Sequence, residues 1–367
     1  MDGINASSVK SGWEEIINTT NNYPELSGYI PLEILFTPDM ISLASEETAK
    51  HFHDRKDTIA FMKARWLNSQ ILSDKIINGE FKANYYKQIT INERGKARLI
   101  KPPTFECKIV QKLLSTFILR PYLEANMIEH SYATVKGRGT DKLYSDLVIG
   151  LNEAIKHKNK YIVLTDFSNY FGSIDTRELE NRVFRSYIHN EQMIQLLMKF
   201  FPDEKGMVLG NEVSQLPASF YPNPIDQFIT VTLMNPYYYR YMDDTLCVVK
   251  NKKEVKEHIE TFKTMSNVLK LNVKDEKIQV IRMGTDFVFC KERFFFNKKT
   301  GHYYQMINPK RIRTEKRKIN AITDIDELSM QYNGVRGSIR NHPNSYKSLI
   351  YLDNLYNKKH RELLKGL

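Results

Sequence analysis

An α+β fold with a mixed or antiparallel sheet is predicted by three features of this 367-residue sequence. The apolar run Tyr161-Ile162-Val163-Leu164-Thr165 has the length and content of a buried strand, and it delivers Asp166 at its end. Two further apolar runs, residues 237–241 and 245–249, flank Met242-Asp243-Asp244 at a bend and read as a strand pair. Segments of helical period lie between these runs, giving the order strand, helix, strand pair, helix, strand.

The elements follow in chain order. Across residues 48–81, Phe52, Ile59, Met62, Trp66, Ile71 and Ile76 recur at near-helical intervals among charges, which predicts one or two amphipathic helices that serve packing. Residues 88–91 and 98–100 flank Asn92-Glu93-Arg94-Gly95-Lys96, the pattern of a hairpin with a basic tip, and Pro102 and Pro103 close it. Ile109, Val110, Leu113, Leu114, Phe117 and Ile118 mark one helix face, which is expected to end at Pro121 because proline lacks the N–H that a helix interior needs. The basic stretch Lys136-Gly137-Arg138-Gly139 precedes another helix, from Asp141 to about His157. Asp175 with Glu178 three residues on fits a capping box, so Asp175 is assigned a structural role. Val255, Ile259, Phe262 and Leu269 give a helix over 255–271, and residues 278–281 and 287–289 read as short strands. From Asn308 the chain is rich in Lys and Arg and helical in pattern, and no internal repeat is evident.

With 41% apolar residues the chain can bury a substantial core. A formal charge of +11 and a pI near 9.2 favour polyanionic partners, nucleic acid or an anionic membrane. No apolar run approaches the roughly 20 residues that span a bilayer, and residues 1–10 have no signal-peptide core, so a cytoplasmic protein without a membrane partner is expected. Cys107, Cys247 and Cys290 are widely spaced in apolar surroundings with no Cys-x-x-Cys pair, which argues against disulfides and zinc.

Acidic residues are common in turns, but the strands around Asp243 and Asp244 are too apolar for a surface hairpin. A second strand-end carboxylate, Asp166, is available to converge with them. Carboxylates gathered in a partly buried site repel one another unless a cation offsets their charge. Magnesium prefers hard oxygen ligands and bridges carboxylates to phosphates. Two such ions about 3.5–4 Å apart would activate an attacking oxygen and stabilise a leaving pyrophosphate.

Tyr241-Met242-Asp243-Asp244 resembles the Tyr-x-Asp-Asp motif of reverse transcriptases, and Thr165-Asp166-Phe167-Ser168-Asn169-Tyr170-Phe171 resembles their first aspartate motif. Lys96-Ala97-Arg98 is similar to the fingers segment that touches the triphosphate, and Ile109-Val110-Gln111 to the helix after it. Residues 271–277 resemble the fourth palm motif, and Asp286-Phe287-Val288-Phe289 the primer-grip hairpin. The resemblance implies a right-hand polymerase: an N-terminal helical region with part of the fingers at 1–86, fingers at 87–160, a palm at 161–307 and a basic helical thumb at 308–367. It implies catalytic roles for Asp166, Asp243 and Asp244, with metal held by Asp166, the Phe167 carbonyl and Asp243, and less directly by Asp244. Nucleotide contacts carry over to Lys96, Arg98, Phe171, Ala218, Tyr241 and Lys277. Arg98 would clamp the triphosphate, Lys277 would protonate or neutralise the leaving pyrophosphate, and Phe171 would exclude a ribose 2′-OH. Lys310, Arg311, Arg313, Lys316, Arg317 and Lys318 would grip nucleic acid in the thumb.

One block departs from the family pattern. Where relatives carry Leu-Pro-Gln-Gly followed by Ser-Pro in a loop against nucleotide and template, this chain has Leu216-Pro217-Ala218-Ser219-Phe220-Tyr221-Pro222-Asn223-Pro224. The divergence and compact size resemble bacterial defence-associated and abortive-infection reverse transcriptases. The implied activity is RNA-directed DNA synthesis with two Mg2+ ions, for which Mn2+ can substitute, in antiphage defence and with atypical templating. Implied partners are deoxynucleoside triphosphates, an RNA template or associated non-coding RNA and the DNA product, with room for an oligomer. Two rivals are an RNA-binding polymerase-like scaffold without synthesis and an RNA-directed RNA polymerase. The intact aspartates disfavour the first, and Phe171 disfavours the second.

Overall fold

The computed structural model describes residues 6–93, 96–340, 342 and 344–365. Nine strands are described: β1 (Ile89–Glu93), β2 (Lys96–Ile100), β3 (Tyr161–Asp166), β4 (Tyr238–Tyr241), β5 (Asp244–Val249), β6 (Gln279–Arg282), β7 (Phe287–Phe289), β8 (Glu292–Asn297) and β9 (His302–Met306). They form a β1-β2 hairpin, a four-stranded sheet in the order β4-β5-β3-β6, and a β7-β8-β9 meander. Every pairing is antiparallel, which settles the choice that the sequence left open.

The chain divides into two compact units. One comprises residues up to Gly137, Phe167–Asn235 and Glu260–Lys274, and the other Arg138–Asp166, Pro236–Ile259 and Asp275–Leu367. Residues 161–307 thus contribute to both units.

The second unit holds the four-stranded sheet. β3 lies between β5 and β6, and its middle residues Ile162, Val163 and Leu164 are buried, as are Leu246, Cys247 and Val248 of β5. A strand covered on both faces reads as a continuous apolar run rather than an alternating one, which is why β3 and β5 stand out in the sequence. The helix Thr140–Lys156 buries Leu143, Leu147, Leu151 and Ala154, one face at helical spacing. Gly150 lets that helix approach β4 closely, since a Cβ there would meet the Tyr239 hydroxyl oxygen at 1.8 Å. At the C-terminal end, the helices Pro309–Ala321, Ile325–Arg340 and Tyr346–Lys365 enclose a core of Ile307, Ile319, Ile322, Leu328, Val335, Ile339 and Leu352.

In the first unit, the helix expected to stop at Pro121 does not. Phe105–Leu113 continues through a widened turn, Leu114–Leu119, into Arg120–Asn126. The Arg120 N–H reaches back five residues to the Ser115 carbonyl, so the turn just before Pro121 is widened and the ring is taken in without ending the helix. The helical reading of 48–81 is met by Lys56–Lys63 and Arg65–Ile77, together with the end of Pro38–Ala49, but its packing face is met only in part: Ile59, Trp66 and Ile71 are exposed, and Phe61 and Leu72 are buried instead, along with Ile76. Asp175 caps Thr176–Leu179 as expected, its carboxylate accepting from the Arg177 and Glu178 amides.

Candidate active site

Antiparallel pairing of β3 with β5 places Asp166 directly opposite Asp244, and pairing of β4 with β5 places Tyr241 opposite Asp244. The bend expected at 242–244 is tighter than the sequence suggested. Asp244 already belongs to β5, leaving Met242 and Asp243 as a two-residue turn with Met242 at φ 54°, a left-handed conformation that side-chain-bearing residues rarely adopt. Arg240, wholly buried, steadies it by donating from Nη1 to the Met242 carbonyl at 3.1 Å. One residue back from the carboxylates, the buried Thr165 and Thr245 hydroxyls hydrogen-bond across the strands and fix the register.

The charges here are poorly balanced. Asp166 pairs through Oδ2 with the Lys277 ammonium, while its Oδ1 is buried with no hydrogen-bond partner among the described residues. The bond to Asp166, with the charges of Asp243 and Asp244, raises Lys277 above the ordinary lysine range and keeps it protonated. Asp244 is pushed up to about 7, first by burial and then by repulsion from Asp243 and Asp166. The Cys290 sulfur lies 3.9 Å from Asp244 Oδ2, and burial together with Asp244 raises that thiol far above its usual range, so it remains an S–H. Burial likewise raises the Tyr241 hydroxyl.

Among the described residues, no three His, Cys, Asp or Glu side chains form a preformed metal cage. The donor set nonetheless fits magnesium. Its atoms are hard oxygens, one of them buried without a partner, and Mg2+ is commonly held by one or two carboxylates completed by water and substrate phosphate. The structure therefore brings together Asp166, Asp243, Asp244, Tyr241 and Lys277 in one unit.

The remaining candidates in the other unit have different surroundings. The Phe167 ring is core, stacked against Phe262 at 5.1 Å and Tyr170 at 5.4 Å, so only its backbone could serve a metal. Phe171 lies on the short helical turn Tyr170–Ser173 and is half-exposed, whereas its neighbour Tyr170 is the buried ring and donates its hydroxyl to the Ala218 carbonyl. The stretch expected to be a loop at 216–224 is helical instead, as Glu212–Phe220 and Asn223–Gln227 with Pro217 inside the first helix. Ala218 and Ser219 are fully buried, and Ser219 donates to the Ala133 carbonyl at 3.1 Å. Ala218 thus presents no side chain to a nucleotide. Lys96 and Arg98 belong to β2, but their side chains lie outside the described residues.

On the basic helix Pro309–Ala321, Lys310, Arg313, Lys316 and Arg317 are exposed along one side, while Ile319 faces the core. Two predicted contacts are already engaged. Arg311 is half-buried between Glu292 (3.7 Å) and the Ser338 hydroxyl (2.7 Å), and Lys318 pairs with Glu315 at 3.1 Å.

Sequence reasoning missed Arg240, Cys290 and Tyr144, whose hydroxyl donates to the Cys290 carbonyl at 2.7 Å. Arg240 had a signal, since a lone cation inside Tyr237-Tyr238-Tyr239-Arg240-Tyr241 needs internal acceptors. Cys290 had none, because its place beside Asp244 depends on pairing far along the chain.

The family described as reverse transcriptase (RNA-dependent DNA polymerase) matches residues 83–335. The chain belongs to that family, and with it to the right-hand polymerases with a reverse-transcriptase palm. No curated protein sequence gives a significant match. Similar solved structures include telomerase from Candida albicans in complex with the TWJ fragment of telomeric RNA, at 11% identity and a TM-score of 0.45, covering 75% of this chain and 58% of that one. Apo telomerase from Candida tropicalis, truncated from its C-terminal domain, aligns at 12% identity and a TM-score of 0.46, covering 68% and 67%.

Proposed function

We propose that the protein is a cytoplasmic RNA-directed DNA polymerase in which Asp166, Asp243 and Asp244 hold two magnesium ions. The observation that supports this most is the buried, unpartnered Asp166 Oδ1 in a cluster of mutually repelling carboxylates. A merely structural site has no need of such an arrangement. When bound, the ions would supply activation of the primer hydroxyl and charge neutralisation at the leaving pyrophosphate. Lys277 holds a proton beside Asp166 and is the chain's own cation for a phosphate oxygen. Phe171 is the sugar-discriminating residue, a reading supported by its half-exposed ring next to a neighbour that fills the core.

The test is incubation of purified protein with magnesium and either deoxynucleotides or ribonucleotides, with and without its copurifying RNA, followed by sequencing of the product. DNA made by the wild type and not by Asp166→Asn carries the proposal. RNA product would favour the polymerase rival, and tight RNA binding without synthesis the scaffold. Phe171→Ala should raise ribonucleotide use relative to deoxynucleotide use, and an unchanged ratio in an active variant would remove Phe171 from that role.

Atypical templating is a further part of this proposal. Ala218 and Ser219 both turn inward, so neither supplies the amide or the bare backbone that relatives place near the new base pair. Accurate copying of several unrelated primed RNAs would defeat it. The antiphage role rests on the divergence of the same block. It predicts that phage plate less efficiently on cells expressing the wild type than on cells expressing Asp243→Asn, and equal plating would refute it.

A further inference from the structure

The turn between β7 and β8 is unusual in its own right. Phe289 pairs with Glu292, leaving Cys290 and Lys291 as a two-residue turn with φ 46° and 75°. Two consecutive left-handed residues are normally glycine or asparagine, so this turn is strained and persists only where its surroundings hold it.

Three groups hold it. The Tyr144 hydroxyl, on the helix Thr140–Lys156, donates to the Cys290 carbonyl at 2.7 Å. Asn308 donates from Nδ2 to the Lys291 carbonyl at 3.3 Å, while its Oδ1 accepts from the Lys310 amide and caps the basic helix. Glu292, the residue after the turn, is buried, with Oε1 3.7 Å from Arg311 and Oε2 3.2 Å from His342 Nε2. His342 Nδ1 accepts from the Asn344 amide, so the ring's proton belongs on Nε2 and points at the carboxylate. Arg311 also donates to Ser338 on the next helix. Two of the three ties therefore come from the basic helix and its cap. On its other side the turn presents the Cys290 sulfur 3.9 Å from Asp244 Oδ2.

We propose that Glu292 is a positioning residue that ties the basic helix to the Cys290–Lys291 turn, so that nucleic acid gripped by the helix sets the turn beside Asp244. A buried carboxylate shared by a guanidinium and an imidazole is costly to leave without a partner, which holds the helix and the turn together. The exposed Lys310, Arg313, Lys316 and Arg317 supply affinity, and Arg311, on the same helix, transmits position instead of touching phosphate. The proposal rests on the polymerase reading only in taking a primer–template duplex as the bound species.

The test uses the full chain and an RNA–DNA primer–template. Hydrogen exchange is followed in the basic helix and in residues 289–292, alongside duplex affinity and primer extension. In the wild type, duplex should slow exchange in both places. In Glu292→Gln and in Arg311→Gln, protection of the helix should remain and protection of the turn should be lost. Extension kcat should fall about tenfold with duplex Kd held within about twofold, and Arg311→Lys should restore most of the rate. Arg311→Gln leaves the Glu292–His342 bond in place, so it keeps the proposal testable if Glu292→Gln fails to fold. Turn protection that persists in both variants, or kcat and Kd that decline together, would overturn it. Wild-type duplex binding without turn protection would also overturn it, whether or not the protein makes DNA. Turn protection without synthesis would sustain the tie and count against the polymerase reading alone.

Discussion

The carboxylates at the ends of β3 and β5 and the helical stretch 212–232 are both dense in polar groups, and the two regions resolve them in opposite ways. In the stretch 212–232, side-chain donors turn onto backbone carbonyls: Ser219 onto Ala133 at 3.1 Å, Tyr221 onto Leu269 at 2.8 Å, Asn223 onto Asn126 at 3.0 Å. Each of these bonds completes a local structure. Around Asp244, by contrast, burial and the charges of Asp243 and Asp166 drive the carboxyl towards protonation, with Lys277 paired to Asp166. A carboxyl held against its ordinary protonation state is what marks the second region for chemistry.

The sharpest way to break that contrast is Asp243→Asn. Removing one of the repelling charges should cost synthesis on the order of 10²–10³-fold or more, because groups aimed at developing charge dominate such reactions. The same change should leave the melting temperature unchanged or raise it, since Asp243 is one of the charges that push on Asp244. Primer extension and a thermal melt check both halves. A variant that melts early and still extends primers would make Asp243 scaffold.

A second test sets a buried base against the buried acids in the same unit. Burial pushes His258, on the helix Lys252–Val268, down to about 4 from an ordinary 6.5, so the folded chain holds it neutral. A depressed folded value means that the unfolded chain binds the proton more readily. The stability this histidine allows is therefore complete above pH 6.5 and is lost as the pH falls from there through about 4. Between pH 7.5 and pH 5 that loss is about 2 kcal/mol. Denaturant unfolding at both pH values should show the wild type losing about 2 kcal/mol more than His258→Gln on going from pH 7.5 to pH 5, because the opposite contribution of the raised Asp244 carboxyl is common to both proteins. Equal pH dependence in the two would mean that the ring is protonated without penalty.

The contrast also explains what could be read from the sequence. β3 and β5 were legible because burial on both faces leaves a continuous apolar run, and a carboxylate at the end of such a run has no local explanation. The β1-β2 pairing was legible as two short runs around a turn, whose expected basic tip, Arg94 and Gly95, lies outside the described residues, and the Asp175 cap was legible because cap chemistry is local. Helicity at 212–220 was not legible, because Pro217 suggests a break and the packing that overrides it comes from Tyr170 and Ala133, distant in sequence. Pro121 misled in the same way: one widened turn before it is invisible to a pattern of period 3.6. Arg311 could not be told from its basic neighbours, because what distinguishes it is a carboxylate nineteen positions earlier on another element.

Ser219→Gly probes the scaffold side of the comparison. It restores the residue type that relatives carry, yet here it removes the bond to Ala133 and places glycine inside a helix. A stability loss of about 1–2 kcal/mol is expected from those two effects together. Denaturant melts measure it, and a stability gain would mean that the hydroxyl is strained rather than satisfied.

The smallest effect separates engaged from unengaged charge on a single helix. Each phosphate contact releases condensed counterions, so every lysine or arginine that grips nucleic acid adds about 0.7–0.9 to the slope of log affinity against log salt. Arg313, Lys316 and Arg317 are exposed with no ion-pair partner among the described residues, whereas Arg311 is held between Glu292 and Ser338. Neutralising Arg313, Lys316 and Arg317 one at a time to Gln should therefore lower the slope by about one contact each. Arg311→Gln should leave the slope where it was, even though it removes the same formal charge from a neighbouring position. Binding isotherms for one duplex at several salt concentrations decide the matter. If all four variants shift the slope alike, Arg311 reaches phosphate in the complex, and the distinction between balanced and unbalanced charge fails on this helix.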